Sequence, residues 1–112
     1  MGNQELVEVF IKEIRRRFVK SVLDLLILQL VQTEPAWGYI IIKKTQDTYG
    51  VKLRHGALYP MLNTLEGKGL LKSRKRLQKG RMRKVYQITQ SGRQILEAYT
   101  NFLKEPIRKT DR

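Results

Sequence analysis

Two alternating stretches, GLLKSRKRL and RKVYQIT, are joined by QKGRM around Gly80, and they constrain the fold more than any other segment. Strand-like alternation on both sides of a glycine-containing turn is typical of a β-hairpin. Residues 71–89 carry eight lysines and arginines and no acidic residue. Like charges on neighbouring strands repel each other, so such a hairpin gains from a polyanionic partner. The sequence therefore predicts a two-stranded hairpin with a basic tip that contacts a polyanion.

Two helical patterns open the chain. From Glu5 to about Lys20, apolar residues recur every four positions, opposite a basic cluster made of Arg15, Arg16, Arg17 and Lys20. Residues 22–33 are apolar nearly all round, which predicts a helix at the centre of the fold. This second run is too short to span a bilayer and contains Asp24 and Gln29. A soluble, cytoplasmic protein without membrane contacts is therefore expected.

Two further helical patterns lead into the hairpin, and one follows it. The third helix is predicted over about residues 36–49 and the fourth over about 56–68. After the hairpin, Thr89 or Ser91 can cap a last helix that runs to about Lys104. Four helices, a hairpin and a helix, in this order, predict a winged helix-turn-helix. This is a mainly α fold with a small β-hairpin (α+β).

The length of 112 residues fits one domain with three segments. We assign residues 1–20 to an N-terminal amphipathic helix, 21–89 to the winged helix-turn-helix DNA-binding domain, and 90–112 to a C-terminal dimerisation helix and tail. Both terminal helices carry apolar stripes without an obvious partner in a three-helix core, and such stripes normally mark an interface. Either a twofold homodimer buries them, or both helices fold back on their own core. The predicted dimer-interface residues are Leu6, Phe10, Ile14, Phe18, Ile95, Tyr99, Phe102 and Leu103.

Charge narrows the choice of partner. The chain has 23 Lys and Arg residues against 10 Asp and Glu, a net charge of +13. A field of that sign attracts nucleic acid or an anionic membrane surface, and the fold favours double-stranded DNA. The chain has one histidine, no cysteine and only scattered acids. These residues offer neither a metal site nor a catalytic group, so we expect no enzyme activity, no metal and no cofactor.

Four segments, LDLLILQLV, WGYIIIKK, GALYPMLNTLEGKGLLKS and RKVYQITQSG, resemble the PadR-like family of transcriptional regulators in order and spacing. The resemblance covers about residues 22–103 and implies a dimeric winged-helix repressor whose C-terminal helix helps to dimerise it. One departure is Trp37, because the family commonly has His before the Gly-Tyr pair, while Tyr39 carries over. Some family members bind small aromatic molecules at the dimer interface, so Tyr99 and Phe102 could serve a small-molecule effector here.

The fourth helix is the predicted recognition helix. With its leucines inward, its N-terminal and polar side can contact DNA, because free N–H groups bind phosphate and Asn63 could bond an adenine edge. Tyr39 and Tyr59 are either core aromatics or, as the resemblance implies, phosphate contacts. The predicted DNA contacts on and before this helix are Tyr39, Arg54, His55, Gly56, Ala57, Tyr59, Asn63 and Thr64.

The hairpin, about residues 71–89, is the predicted wing. Lys72, Arg74 and Arg76 alternate along its first strand and should share one face. Arginine is favoured in a narrow minor groove by the negative potential there. The predicted wing contacts are Arg74, Arg76, Lys79, Arg81 and Arg83. The sequence thus predicts a sequence-specific repressor that binds a palindromic operator as a homodimer. The alternative is an architectural protein that coats DNA with little sequence preference.

Overall fold

The computed structural model of the protein describes residues 2–110, in which five helices and three strands follow one another. None of these helices is long and apolar enough to cross a membrane. The strands form one antiparallel sheet in the order β1-β3-β2. The elements are α1 (Asn3–Ser21), α2 (Leu23–Thr33), β1 (Ala36–Trp37), α3 (Gly38–Tyr49), α4 (His55–Gly67), β2 (Leu71–Gln78), β3 (Arg81–Ile88) and α5 (Gln90–Thr110).

The core lies around α2, which packs against α3, α5 and β3. Ile27 of α2 is fully buried, and the inward residues of the other elements close around it. Burying each such aliphatic side chain stabilises the fold by about 1.5–3 kcal/mol. Thr45 is the buried polar residue of this region, and its hydroxyl donates a hydrogen bond of 2.7 Å to the carbonyl of Ile41. The core is therefore apolar with its buried hydroxyl satisfied.

Helix α1 contributes nothing to this core. Its apolar residues recur with helical spacing as predicted, but none of its residues is buried. Phe10, near the middle of the helix, is 53% exposed, and Leu6, Ile14 and Phe18 are exposed as well. The alternative that both terminal helices fold back on their own core is therefore wrong for α1.

Helix α5 divides its apolar residues between the core and the surface. Leu96 is buried in the core cluster, whereas Ile95, Phe102 and Leu103 are exposed. The helix begins after Thr89, whose hydroxyl accepts a hydrogen bond of 3.1 Å from the N–H of Gly92. Thr89 is therefore the cap. The helix continues to Thr110, beyond its predicted end at about Lys104, and residues 111 and 112 of the predicted C-terminal segment lie outside the described residues.

The strand β1 was not predicted. Residue 36 was expected to open the third helix, but Ala36 pairs with Tyr86 and Trp37 with Val85, and α3 begins only at Gly38. The pairing covers the edge of β3 that β2 leaves free. Two residues show no periodicity of their own, so this strand results from tertiary contact with the hairpin.

The hairpin itself is confirmed. Lys79 (φ 50°) and Gly80 (φ 77°) both adopt positive φ and form a two-residue turn between Gln78 and Arg81. Positive φ at both central residues defines a type I′ turn, whose twist matches that of the two strands. The turn fixes the register of all eight residue pairs from Leu71–Ile88 to Gln78–Arg81. It therefore also fixes which basic side chains share a face.

Candidate nucleic-acid interface

Helix α4 presents the predicted contact residues on its solvent side. Leu58, Leu62 and Leu65 are buried and hold the opposite side of the helix against the core. This orientation leaves a continuous exposed surface along the helix and its N-cap. The residues exposed there are Arg54, His55, Gly56, Ala57, Tyr59, Asn63 and Thr64.

The N-terminus of α4 can accept an anion. Arg54 occupies the N-cap position with extended backbone (φ −93°, ψ 154°), and its side chain makes no capping hydrogen bond. A Cβ added at Gly56 would have no atom within 4 Å, so the backbone there is open to close approach. Uncapped N–H groups together with the helix dipole favour a phosphate oxygen at this end.

Two exposed tyrosines are among the predicted contacts, Tyr39 in the first turn of α3 and Tyr59 in α4. Tyr39 is 55% exposed and Tyr59 is 42% exposed, so the alternative that they are core aromatics is wrong for both. The ring of Tyr59 stacks on His55 with the centroids 5.7 Å apart. The Tyr59 hydroxyl lies 2.6 Å from the position that a Cβ on Gly38 would occupy. Tyr59 can therefore pack against α3 only because residue 38 has no side chain. The structure thus brings His55, Tyr59 and the first turn of α3 together.

The register of the hairpin places four predicted wing arginines on one face. Directly opposed residues of an antiparallel pair point to the same side, and every second residue shares that side. Arg76 is opposite Arg83, and Arg81 lies two residues before Arg83 on the same strand. Arg74, two residues before Arg76, belongs to this face as well. Lys79 lies in the turn at the tip of the wing.

Arg83 differs from the other three arginines. Its guanidinium carbon lies 5.8 Å from the centroid of the Trp37 ring, a cation–π contact. The side chain is half-buried, and its Nε is buried without a hydrogen-bond partner among the described residues. Arg83 is thus held against β1, whereas Arg74, Arg76 and Arg81 are exposed.

Sequence reasoning missed the role of Glu66 at the end of α4. One of its carboxylate oxygens accepts a hydrogen bond of 2.5 Å from the Ser73 hydroxyl of β2. The other lies 3.2 Å from Nζ of Lys84 on β3. We call these three residues the Glu66 bracket, and they join α4 to both strands of the wing. No periodicity could have revealed it, because its members meet only through tertiary packing.

The Glu66 bracket shifts the pKa values of Glu66 and Lys84. The hydrogen bond from Ser73 lowers the pKa of Glu66, and the Lys84 ammonium lowers it further, although partial burial opposes both. In return, Glu66 raises the pKa of Lys84. Both residues are therefore more firmly charged in the folded protein than in the unfolded chain.

We expect the Glu66→Gln variant to unfold more easily at neutral pH, by about 0.5–1.5 kcal/mol, because the charged acceptor of Ser73 and Lys84 is lost. A carboxyl whose pKa is lowered by folding stabilises the protein above its ordinary value, here 4.5, and this contribution disappears as the pH falls through the folded value. Urea denaturation over a series from neutral to acidic pH should therefore show a difference that shrinks as the pH falls below the ordinary value. The control Glu97→Gln removes an exposed carboxylate of α5, and an equal effect of the two variants would contradict the bracket.

An open groove beside α4 was also missed. It has a volume of about 440 Å³ and lies between the α1–α2 junction and the exposed side of α4. Lys20 and Lys68 line it together with Ala57 and Thr64, two predicted DNA contacts. In the sequence, Lys20 stood out only as a member of the basic cluster of the first helix. That pattern does not show that Lys20 lies close to α4. The two lysines add positive charge beside α4, and Asp24 lines the same groove.

Helices α2, α3 and α4, followed by a three-stranded sheet whose basic wing comes directly after the partly exposed α4, define a winged helix-turn-helix DNA-binding protein. Within residues 2–110, no group of three His, Cys, Asp or Glu side chains is placed to hold a metal ion. Residues 27–98 match the family described as "Transcriptional regulator PadR-like family". The chain belongs to this family, whose members are transcription regulators and not enzymes.

Individual relatives agree with this assignment. The chain is 33% identical over 94 residues to transcriptional regulator Rv3488 of Mycobacterium tuberculosis, covering 84% of this chain and 87% of that protein. A PadR-like transcription factor structure from Bacteroides fragilis superposes with a TM-score of 0.74 at 27% identity, over 88% of this chain and 96% of that one. A PadR family regulator from Eggerthella lenta gives a TM-score of 0.69 at 31% identity, over 96% and 93% of the two chains.

Proposed function

We propose that the protein is a sequence-specific transcriptional repressor that binds a palindromic operator as a homodimer. In this proposal α4 enters the major groove, and the wing reaches the phosphate backbone and the adjacent minor groove. The observation that carries the proposal is the simultaneous exposure of the N-terminal side of α4 and of the arginine face of the wing. Glu66, which joins α4 to both strands, supports a fixed spacing between these two surfaces.

On the recognition helix, the residues divide by chemistry. The backbone N–H groups at His55 and Gly56 bind a phosphate, and the hydroxyls of Tyr39 and Tyr59 donate to neighbouring phosphates. Asn63 lies two turns further along the same exposed side and reads an adenine edge through its amide. Arg54, Ala57 and Thr64 complete this contact surface.

On the wing, Arg74, Arg76 and Arg81 supply most of the electrostatic affinity. They are exposed and share one face, and in the described part of the chain none of them has a carboxylate partner. Lys79 extends the charge to the tip of the turn. Arg83 contributes through its position on Trp37, which keeps its guanidinium close to the sheet. Arginine in a narrow minor groove is favoured by the strong negative potential of that groove.

The uncovered apolar stripes support the homodimer. Leu6, Phe10, Ile14 and Phe18 of α1 are exposed along one helix, and Ile95, Phe102 and Leu103 of α5 are exposed along another. A twofold interface would bury both stripes and present two copies of α4 to half-sites about one DNA turn apart. The rings of Tyr99 and Phe102 lie 6.3 Å apart and offer an aromatic surface for a small aromatic effector at this interface.

A second candidate function is DNA coating without sequence preference. The observation that favours it is the net charge of +13 on 112 residues. Phosphate contacts alone supply nearly all of the affinity in non-specific binding. The two functions differ in the ratio of specific to non-specific affinity.

Selection of bound duplexes from a random DNA pool distinguishes them. The selected duplex and a scrambled control are then titrated with the protein at physiological salt. For a specific dimeric regulator we expect a palindromic sequence preferred by about a thousandfold or more. The absence of a consensus, with equal affinity for both duplexes and a steep salt dependence, would contradict the proposal and establish DNA coating.

A further inference from the structure

The wing carries an exposed apolar pair that electrostatics does not explain. Leu77 is 69% exposed and Met82 is 64% exposed. The two residues are directly opposed in the β2–β3 register, so their side chains lie together on one face. They are also the last pair before Gln78 and Arg81, which flank the turn. An apolar surface thus lies at the tip of the most basic element of the chain.

This pair is too far from the core to be part of it. Ser73 and Tyr86 form the last pair on this face that reaches the core cluster, and the next pair still contacts α4 through the ion pair of Lys84 with Glu66. Leu77 lies four residues beyond Ser73, which corresponds to about 13 Å along the strand. Lys75 and Lys84 form the intervening pair on the same face. Leu77 and Met82 therefore lie further from the core than this pair of cations, towards the tip of the wing.

We propose that Leu77 and Met82 form an apolar wedge that enters the minor groove of DNA and packs against its sugars and base edges. The proposal rests on the proposed DNA-binding function and adds a specificity-determining contact to it. Residues 71–89 contain eight cations and no acid, so a second copy of the wing would be repelled. The minor groove instead combines phosphates at its rims with apolar sugar walls, and minor-groove proteins commonly insert leucine or methionine there.

If the wedge enters the minor groove, the affinity should depend on the groups that line the floor of that groove. This dependence should be separate from the effect of charge. The test compares wild type with Leu77→Ser/Met82→Ser on the selected operator, with its flanks made of I·C pairs or of G·C pairs. These flanks differ only in the guanine 2-amino group, which projects into the minor groove. The 2-amino group hinders the approach of the two side chains to the groove floor and so removes only part of their buried surface. We therefore expect wild type to prefer the I·C flanks by about tenfold, and the serine variant to lose most of this preference. The salt dependence should stay unchanged because no charge is removed.

Two controls keep the result interpretable. The swapped variant Leu77→Met/Met82→Leu retains the apolar surface and should keep the flank preference. Arg76→Gln, on the opposite face of the wing, should reduce the salt dependence while the flank preference remains. The wedge is overturned if the serine variant keeps both the affinity and the flank preference of wild type, since arginines would then carry the effect. If wild type binds no selected duplex, the proposed DNA-binding function itself fails, and the wedge fails with it.

Discussion

The triple variant Arg74→Gln, Arg76→Gln and Arg81→Gln is expected to bind DNA at least about a hundredfold more weakly than wild type at physiological salt. All three arginines are exposed and share one face of the wing. Log affinity falls with log salt by about 0.9 for each phosphate contact, so the loss of three contacts should make this dependence shallower by about 2.7 for each protomer. Fluorescence anisotropy over a salt series measures both quantities.

A matched control separates the wing from net charge. The variant Lys12→Gln, Arg93→Gln and Lys104→Gln also removes three exposed cations, but none of them belongs to α4 or to the wing. We expect it to change the affinity and the salt slope only slightly, because long-range attraction between exposed charges is screened at physiological salt. Equal losses in the two triple variants would show that total charge, and not the wing, determines binding.

The same wing variant should not lose stability. Arg76 and Arg83 are opposed in the register, as are Lys75 and Lys84, and directly opposed like charges destabilise a hairpin. Removing Arg74, Arg76 and Arg81 relieves part of this repulsion, so the melting temperature should stay the same or rise. The charge distribution therefore implies that the substitutions which weaken DNA binding also stabilise the free wing. In the wild-type protein, DNA phosphates would relieve the same repulsion.

The sequence was sufficient for the elements that have a pattern of their own. The helical periodicity of α1, the apolar run of α2 and the alternation on both sides of Gly80 predicted these helices and the hairpin. It was also enough to place Lys72, Arg74 and Arg76 on one face, because the twofold period of a strand requires it. The assignment to the PadR-like family, based on four quoted segments, is confirmed.

Features that depend on tertiary contacts could not be predicted from the sequence. The strand β1 exists because Ala36 and Trp37 pair with β3, and a two-residue segment has no detectable period. Glu66 meets Ser73 and Lys84 only after α4 has packed on the sheet. The positions of Tyr39 and Tyr59 could not be decided either, because an aromatic residue on an amphipathic helix fits the core and the surface equally well.

The extent of α5 illustrates another limit. The end of this helix was predicted at about Lys104. Pro106 follows, and proline normally interrupts a helix. The helix nevertheless runs to Thr110. Proline removes one backbone hydrogen bond, but it does not by itself determine where a helix ends, and such boundaries are the least certain part of any sequence-based assignment.

The variant Phe10→Glu is expected to convert the proposed homodimer to a monomer at micromolar concentration. Phe10 is 53% exposed at the middle of the apolar stripe of α1. In a twofold interface each substitution occurs twice, and each buried phenylalanine contributes about 1.5–3 kcal/mol. The dissociation constant of the dimer should therefore rise by at least about a hundredfold, and the buried glutamate would increase it further. Sedimentation equilibrium measures the change directly.

Because Phe10 contributes nothing to the core of its own chain, the variant protomer should keep its helical circular dichroism. The loss of dimerisation should also remove the preference for a palindrome, since a single α4 reads only one half-site. The control Gln4→Glu adds the same negative charge to an exposed polar position of α1 and should remain dimeric. A Phe10→Glu protein that sediments as a dimer and still prefers the palindrome would place the interface elsewhere, leaving the exposed stripe of α1 to another partner.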